Sequence, residues 1–140
     1  MFERAKGYYR LGMINEAFQD IELATNVNPY FEKAQLLKAK TQLELNKPDD
    51  VLTTVNNVIK LNSKSAEAYL LGGKARFNKG DLNKAIYNFN KALSLNPDYK
   101  EAYLQIGSCY VAQGKLHKAC EKFQEAEKNG LTVSFSDLCQ

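Results

Sequence analysis

Long apolar runs are missing from this chain. None approaches the roughly 18 residues that mark a membrane-spanning helix, so a membrane is not expected as a partner. An excess of one charge is missing too. Nineteen lysines and arginines stand against 16 aspartates and glutamates, a formal charge of +3 with pI 8.7. The two signs are interleaved rather than blocked, which suits solvated helix faces. A nucleic-acid binder would carry a basic stripe and a domain pI above about 9, so nucleic acid is not expected either. Histidine occurs once, at His117, and the cysteines Cys109, Cys120 and Cys139 include no C-x-x-C pair, which argues against zinc. No Ser/His/Asp set, paired pocket carboxylates or phosphate-binding loop can be assembled, since Gly72-Gly73 falls inside a helical pattern as packing glycines. The sequence therefore predicts no enzyme, no metal and no cofactor. Its odd cysteine count favours reduced thiols and, with them, a cytoplasmic location. Cys109 and Cys120 fall on apolar faces, as buried small hydrophobes do; the alternative for Cys120 is a bridge to Cys139 that ties the tail back. No signal-peptide pattern opens the chain.

What is present is repetition. Asn96-Pro97 is preceded 34 residues earlier by Asn62-Ser63, and 34 earlier again by Asn28-Pro29. Ala17, Val51, Ala85 and Ala119 share one column; Ala24, Val58, Ala92 and Ala126 share another. A fixed period between about 20 and 50 residues marks a stacked array rather than a single core, and roughly three repeats suffice for stability. The repeats fall at 1–31, 32–65, 66–99 and 100–130, with 131–140 as a tail or the start of a capping helix. The first repeat lacks its opening residues, so the chain reads as a piece of a longer protein.

Each repeat carries two apolar stripes at helical spacing. In the third, Ala68, Tyr69, Leu71, Gly72 and Ala75 form the first stripe, which ends at Asn78-Lys79-Gly80. Glycine there supplies the left-handed residue that stops a helix. Asp81 is an N-cap candidate, and Leu82, Ala85, Ile86, Phe89, Ala92 and Leu93 make the second stripe. Asn96-Pro97 ends it, because proline restricts its predecessor and cannot donate to a helix. The pattern predicts helices at 1–11, 15–27, 32–45, 49–61, 66–79, 82–95, 100–113 and 116–129. Turns this short force neighbours to run antiparallel. In the second repeat Asn46 replaces the turn glycine, which asparagine tolerates, and Pro48 suits a first helical turn. Ser134-Phe135-Ser136-Asp137 suits a final short turn ending near Cys139.

These columns resemble the tetratricopeptide repeat, whose period is 34. The match rests on Tyr69, Gly73, Ala85, Phe89, Ala92 and Pro97 in the third repeat. The fourth contributes Tyr103, Gly107, Tyr110, Ala119, Phe123 and Ala126; the first contributes Ala5, Tyr8, Ala17, Ile21, Ala24 and Pro29. The second repeat departs most, with Gln35, Gln42, Val51, Val58 and Ser63 in the corresponding places. The resemblance implies an all-α, right-handed superhelical α-solenoid of antiparallel helix pairs. It also implies a non-catalytic protein–protein interaction scaffold that binds a peptide or helix in its concave groove.

In that family the first helix of each repeat lines the groove. Mapped onto this chain, the groove residues are Lys6, Tyr9, Leu36, Leu37, Lys40, Leu70, Leu71, Lys74, Phe77, Asn78, Leu104, Gln105 and Ser108. Lys6, Lys40 and Lys74 form a ladder at 34-residue spacing that ends in Ser108. Leucine pairs run beside it at Leu36-Leu37 and Leu70-Leu71, followed by Leu104-Gln105. An apolar strip flanked by cations suits an acidic or amphipathic protein segment. Alternatively the lysines are merely solvated and the leucines are partly inter-repeat core; for each leucine pair the expectation is one residue in the core and the other exposed. Some members of the family clamp a C-terminal carboxylate with Lys, Asn, Asn, Lys and Arg. Here those places hold Phe2, Lys6, Leu37, Glu67 and Leu71, or, one repeat later, Leu36, Lys40, Leu71, Glu101 and Gln105. The clamp is absent in both registers. A second reading of the array is self-association, with the end helices 1–11 and 116–129 stacking on another copy.

Overall fold

A computed structural model describes residues 1–132 and 134–139; Val133 and Gln140, within the expected tail, lie outside the described residues. Eight helices follow one another: α1 (Phe2–Arg10), α2 (Ile14–Val27), α3 (Glu32–Glu44), α4 (Pro48–Leu61), α5 (Ala66–Asn78), α6 (Leu82–Leu95), α7 (Lys100–Ala112) and α8 (Leu116–Lys128). Every bound lies within one residue of the position expected from the apolar periodicity. No strand occurs among the described residues.

The turn inside each repeat is made by one column in the left-handed region. Gly80 has φ 82° and Asn46 has φ 55°, so the asparagine does what the glycine column does elsewhere. Asp81 stands at the N-cap of α6, yet its carboxylate makes no capping bond. The side-chain cap that forms is at Ser65, whose Oγ accepts from the Ala68 N–H at 3.2 Å.

The curvature follows from which helices touch. Each helix packs on the next, and α1, α3, α5 and α7 also touch in succession. The second helices of successive repeats, α2, α4, α6 and α8, do not touch one another. The first helices are therefore crowded on the inner, concave side and the second helices fan out on the convex side.

Small residues set the approach of each pair. A Cβ added to Gly73 would lie 2.4 Å from Cε1 of Phe89, and one added to Gly107 would lie 2.4 Å from Cε1 of Phe123. In the earlier repeats the same two columns hold Ala39 with Val55 and Ala5 with Ile21, each pair sharing one core cluster. A larger residue on the first helix is matched by a smaller one on the second, so the inter-helix volume stays filled at constant spacing.

The polar departures of the second repeat are satisfied internally. The buried Gln42 accepts at Oε1 from Thr54 Oγ1 at 2.7 Å, and Gln35 Nε2 donates to the Pro29 carbonyl at 3.1 Å. In the first repeat Arg4 grips the buried Asp20 with both ends of its fork, Nε at 2.6 Å and Nη2 at 2.8 Å. The hydrogen bonds from Arg4 hold the Asp20 carboxyl below the usual carboxylate range.

The tail folds back on α8. Cys139 N–H donates to the Phe135 carbonyl at 3.0 Å, closing the expected short turn. The Phe135 ring stacks on Phe123 with centroids 4.1 Å apart, and Phe135 N–H donates to Glu127 Oε1 at 3.0 Å. Cys120 and Cys139 form a disulfide with Cα atoms 5.5 Å apart. The expectation of reduced thiols thus fails for these two: cysteine parity misleads because the third, Cys109, is buried alone in the core. Burial pushes the Cys109 thiol up to about 11, so it stays protonated as a packing residue.

Candidate concave binding face

Helices α1, α3, α5 and α7 bring the expected groove residues to one surface. Lys6, Tyr9, Leu36, Lys40, Lys74, Phe77, Leu104, Gln105 and Ser108 are half-buried there, and Asn78 is exposed at the end of α5. The leucine pairs behave unequally. Leu37 is buried beneath the half-buried Leu36, as a one-in, one-out division requires. Leu70 and Leu71 are both buried, at 2% and 3% exposure, which corrects the expectation that one of them is exposed, although both border the space that Tyr9, Lys40 and Lys74 line. Adjacent helical residues point about 100° apart, and α5 has a repeat on either side. Leu70 therefore packs with Phe89 and Ile106, while Leu71 packs with Val51 and Val55.

The lysine ladder is a ladder of ion pairs. Lys40 Nζ lies 2.6 Å from Glu67, and Lys74 donates to Glu101. Each pair ties the first helix of one repeat to that of the next. Lys6 has no such partner: the residue 27 positions on is Lys33 rather than glutamate, and Lys6 turns instead to Glu3 on its own helix at 3.1 Å. Sequence reading by single columns leaves out Glu67 and Glu101. The signal that contains them is the offset between two columns, since both glutamates follow their lysines by 27 residues.

At the N-terminal end the face opens into a bay of about 630 Å³, within the range of about 300–1,000 Å³ that ligand pockets occupy. Its apolar floor is Phe2, Phe31, Leu36 and Leu37, with the two aromatic rings edge to face at 4.7 Å. Its rim carries Lys6, Lys33 and Lys40 against Glu3, Glu32 and Glu67, so the signs balance. Glu32 is held by Asn62 Nδ2 at 3.1 Å. Lys33 is exposed and makes no ion pair among the described residues. Farther along, Tyr9 and Tyr99 line the space between α3, α5 and α7. Burial, reinforced by Glu101, pushes the Tyr99 phenol up to about 12, and burial with Glu44 raises Tyr9; both stay neutral near pH 7. His117 lies off this face, 92% exposed, with Nε2 3.3 Å from Glu121.

Both ends of the array carry exposed apolar side chains, Leu11, Met13 and Leu23 in the first repeat and Leu116 and Leu138 at the last, beside polar or covered positions. Glu3 and Gly7 on α1 stand in columns that later repeats fill with Leu37 and Leu71, and with the buried Thr41, Ala75 and Cys109. At the other end the tail covers Phe123 on α8, which is 3% exposed.

Two family profiles match the sequence, one described as TPR repeat over residues 73–114 and one as tetratricopeptide repeat over residues 101–129. No curated protein matches. Among solved structures, the crystal structure of MamA is similar at 25% identity, with a TM-score of 0.78 over 90% of this chain and 74% of that one. TTC0263, a thermophilic TPR protein of Thermus thermophilus, is similar at 24% identity and a TM-score of 0.83, over 92% and 72%. The first TPR of Spaghetti (RPAP3), solved with the HSP90 peptide SRMEEVD, is similar at 24% identity and a TM-score of 0.76, over 81% and 90%.

Proposed function

The chain belongs to the tetratricopeptide repeat family, and on that premise we propose that it is a non-catalytic interaction scaffold whose concave face holds a segment of a partner protein. The observation that carries this reading is the bay at Phe2, Phe31 and Leu36, an open apolar floor inside a rim of balanced charge. Such a site takes an apolar side chain as an anchor, with the flanking backbone running along α3 and α5. The likeness to the first TPR of Spaghetti (RPAP3), solved with a bound HSP90 peptide, supports a peptide as the kind of partner. It does not support the same peptide, because the clamp residues for a terminal carboxylate are replaced here by Phe2, Leu37, Glu67 and Leu71.

The test is selection of binders from a random peptide library, followed by hydrogen exchange of the bound array. Selected peptides are expected to protect α1 and α3, and to be lost with Leu36→Glu but retained with Tyr87→Glu on the convex side. Protection confined to α2, α4 and α6 would contradict the reading.

A further inference from the structure

Building on the reading that the concave face holds a partner segment, we propose that Glu67 and Glu101 serve that face as built-in carboxylate ligands. They occupy Lys40 and Lys74 and so select against acidic partners. The partner favoured is a segment with an apolar anchor, at most one carboxylate beside that anchor, and no carboxylate where it crosses α5 and α7.

Both glutamates lie on the inner helices and reach the lysine of the preceding repeat, at 2.6 Å for Glu67 and in a hydrogen bond for Glu101. The lysine side chains keep 38% and 29% exposure and the glutamates 38% and 43%, so the pairs are screened by solvent. Screened pairs of this kind add little to stability. Their effect on an incoming anion is larger. A carboxylate tethered at contact distance acts at an effective concentration of millimolar or above, which a free peptide at micromolar concentration does not match. A ligand carboxylate that fails to displace the glutamate meets it as a like charge, and that juxtaposition rejects it. The first repeat breaks the pattern. Lys33 stands where a glutamate would follow Lys6, and it remains exposed at the rim of the apolar bay. That leaves one cation without an ion pair among the described residues next to the anchor site, and one partner carboxylate fits there.

The experiment compares the natural chain with Glu67→Gln/Glu101→Gln, using the peptide SRMEEVD as an acidic probe in fluorescence anisotropy. Glutamine keeps the shape and a hydrogen bond to lysine, and circular dichroism of the variant checks that the helices remain. The double variant is expected to bind the probe at least about tenfold more tightly per freed lysine, with the gain erased as salt rises from about 50 to 300 mM. Tyr87→Gln, on the convex side and 69% exposed, should leave the affinity for SRMEEVD at the value of the natural chain. Equal affinity of the two proteins for SRMEEVD, or selected concave-face binders that are rich in carboxylates, would overturn the proposal while leaving the binding face intact. Absence of any concave-face binder would instead remove the reading on which it rests.

Discussion

Gly73→Ala is expected to destabilise the array by about 2 kcal/mol, although alanine ordinarily gains roughly 1 kcal/mol over glycine inside a helix. The reversal comes from space. The new Cβ would sit 2.4 Å from a ring carbon of Phe89, a side chain with 0% exposure that has nowhere to move. Overpacking of a filled core costs about 1–3 kcal/mol, and a contact this short belongs at or above the upper end. The chain also contains the remedy. Where the first helix carries Ala39, the second carries Val55. Phe89→Val alone should cost about 2–4 kcal/mol by leaving a cavity. Combined with Gly73→Ala it should cost about 1–2 kcal/mol less than the sum of the two changes. Guanidinium unfolding of the four proteins measures this coupling; strict additivity would mean that the two columns do not pack on each other.

Reduction of the Cys120–Cys139 bond has the second large effect. It releases a link between residues 19 apart, and by chain entropy such a link is worth about 3 kcal/mol. Among the described residues, the tail is otherwise held to α8 by the stack of Phe135 on Phe123, a hydrogen bond from Phe135 N–H to Glu127 and one from Leu131 N–H to the Ala126 carbonyl. Reduction is therefore expected to expose the amides of 135–139 to exchange and to fray the end of α8, while α1 to α6 keep their protection. A tail that stays equally protected after reduction would place its stability in the aromatic stack rather than in the disulfide.

Much of this architecture was legible in the sequence because it depends on local rules repeated four times. The Gly80 turn and the Asn46 turn in the same column are set by backbone sterics alone. Helix ends follow from them and from Asn96-Pro97, so the eight helices fall where periodicity puts them. The face that carries Lys6, Lys40 and Lys74 follows in the same way. What one column cannot reveal is a relation between columns. Glu67 and Glu101 face the lysines only once repeats stack, and Leu70 and Leu71 are both buried only because α5 has neighbours on two sides. Cys120 and Cys139 meet because the tail reverses at a turn that no repeat column encodes. Asp81 marks the start of α6 correctly, yet makes no capping bond, since being at the cap and bonding there are separate matters of side-chain geometry.

The most direct test of in-register stacking is zero-length carbodiimide coupling followed by peptide mass spectrometry. Lysine and glutamate must be in contact to be joined, and the account places Lys40 against Glu67 and Lys74 against Glu101. Those two amides, each spanning 27 residues, together with the amide of Lys79 to Asp49, which stand 2.6 Å apart, should dominate the long-range products at low coupling yield. If they are absent while lysines couple to glutamates at unrelated separations, the repeats do not stack as described.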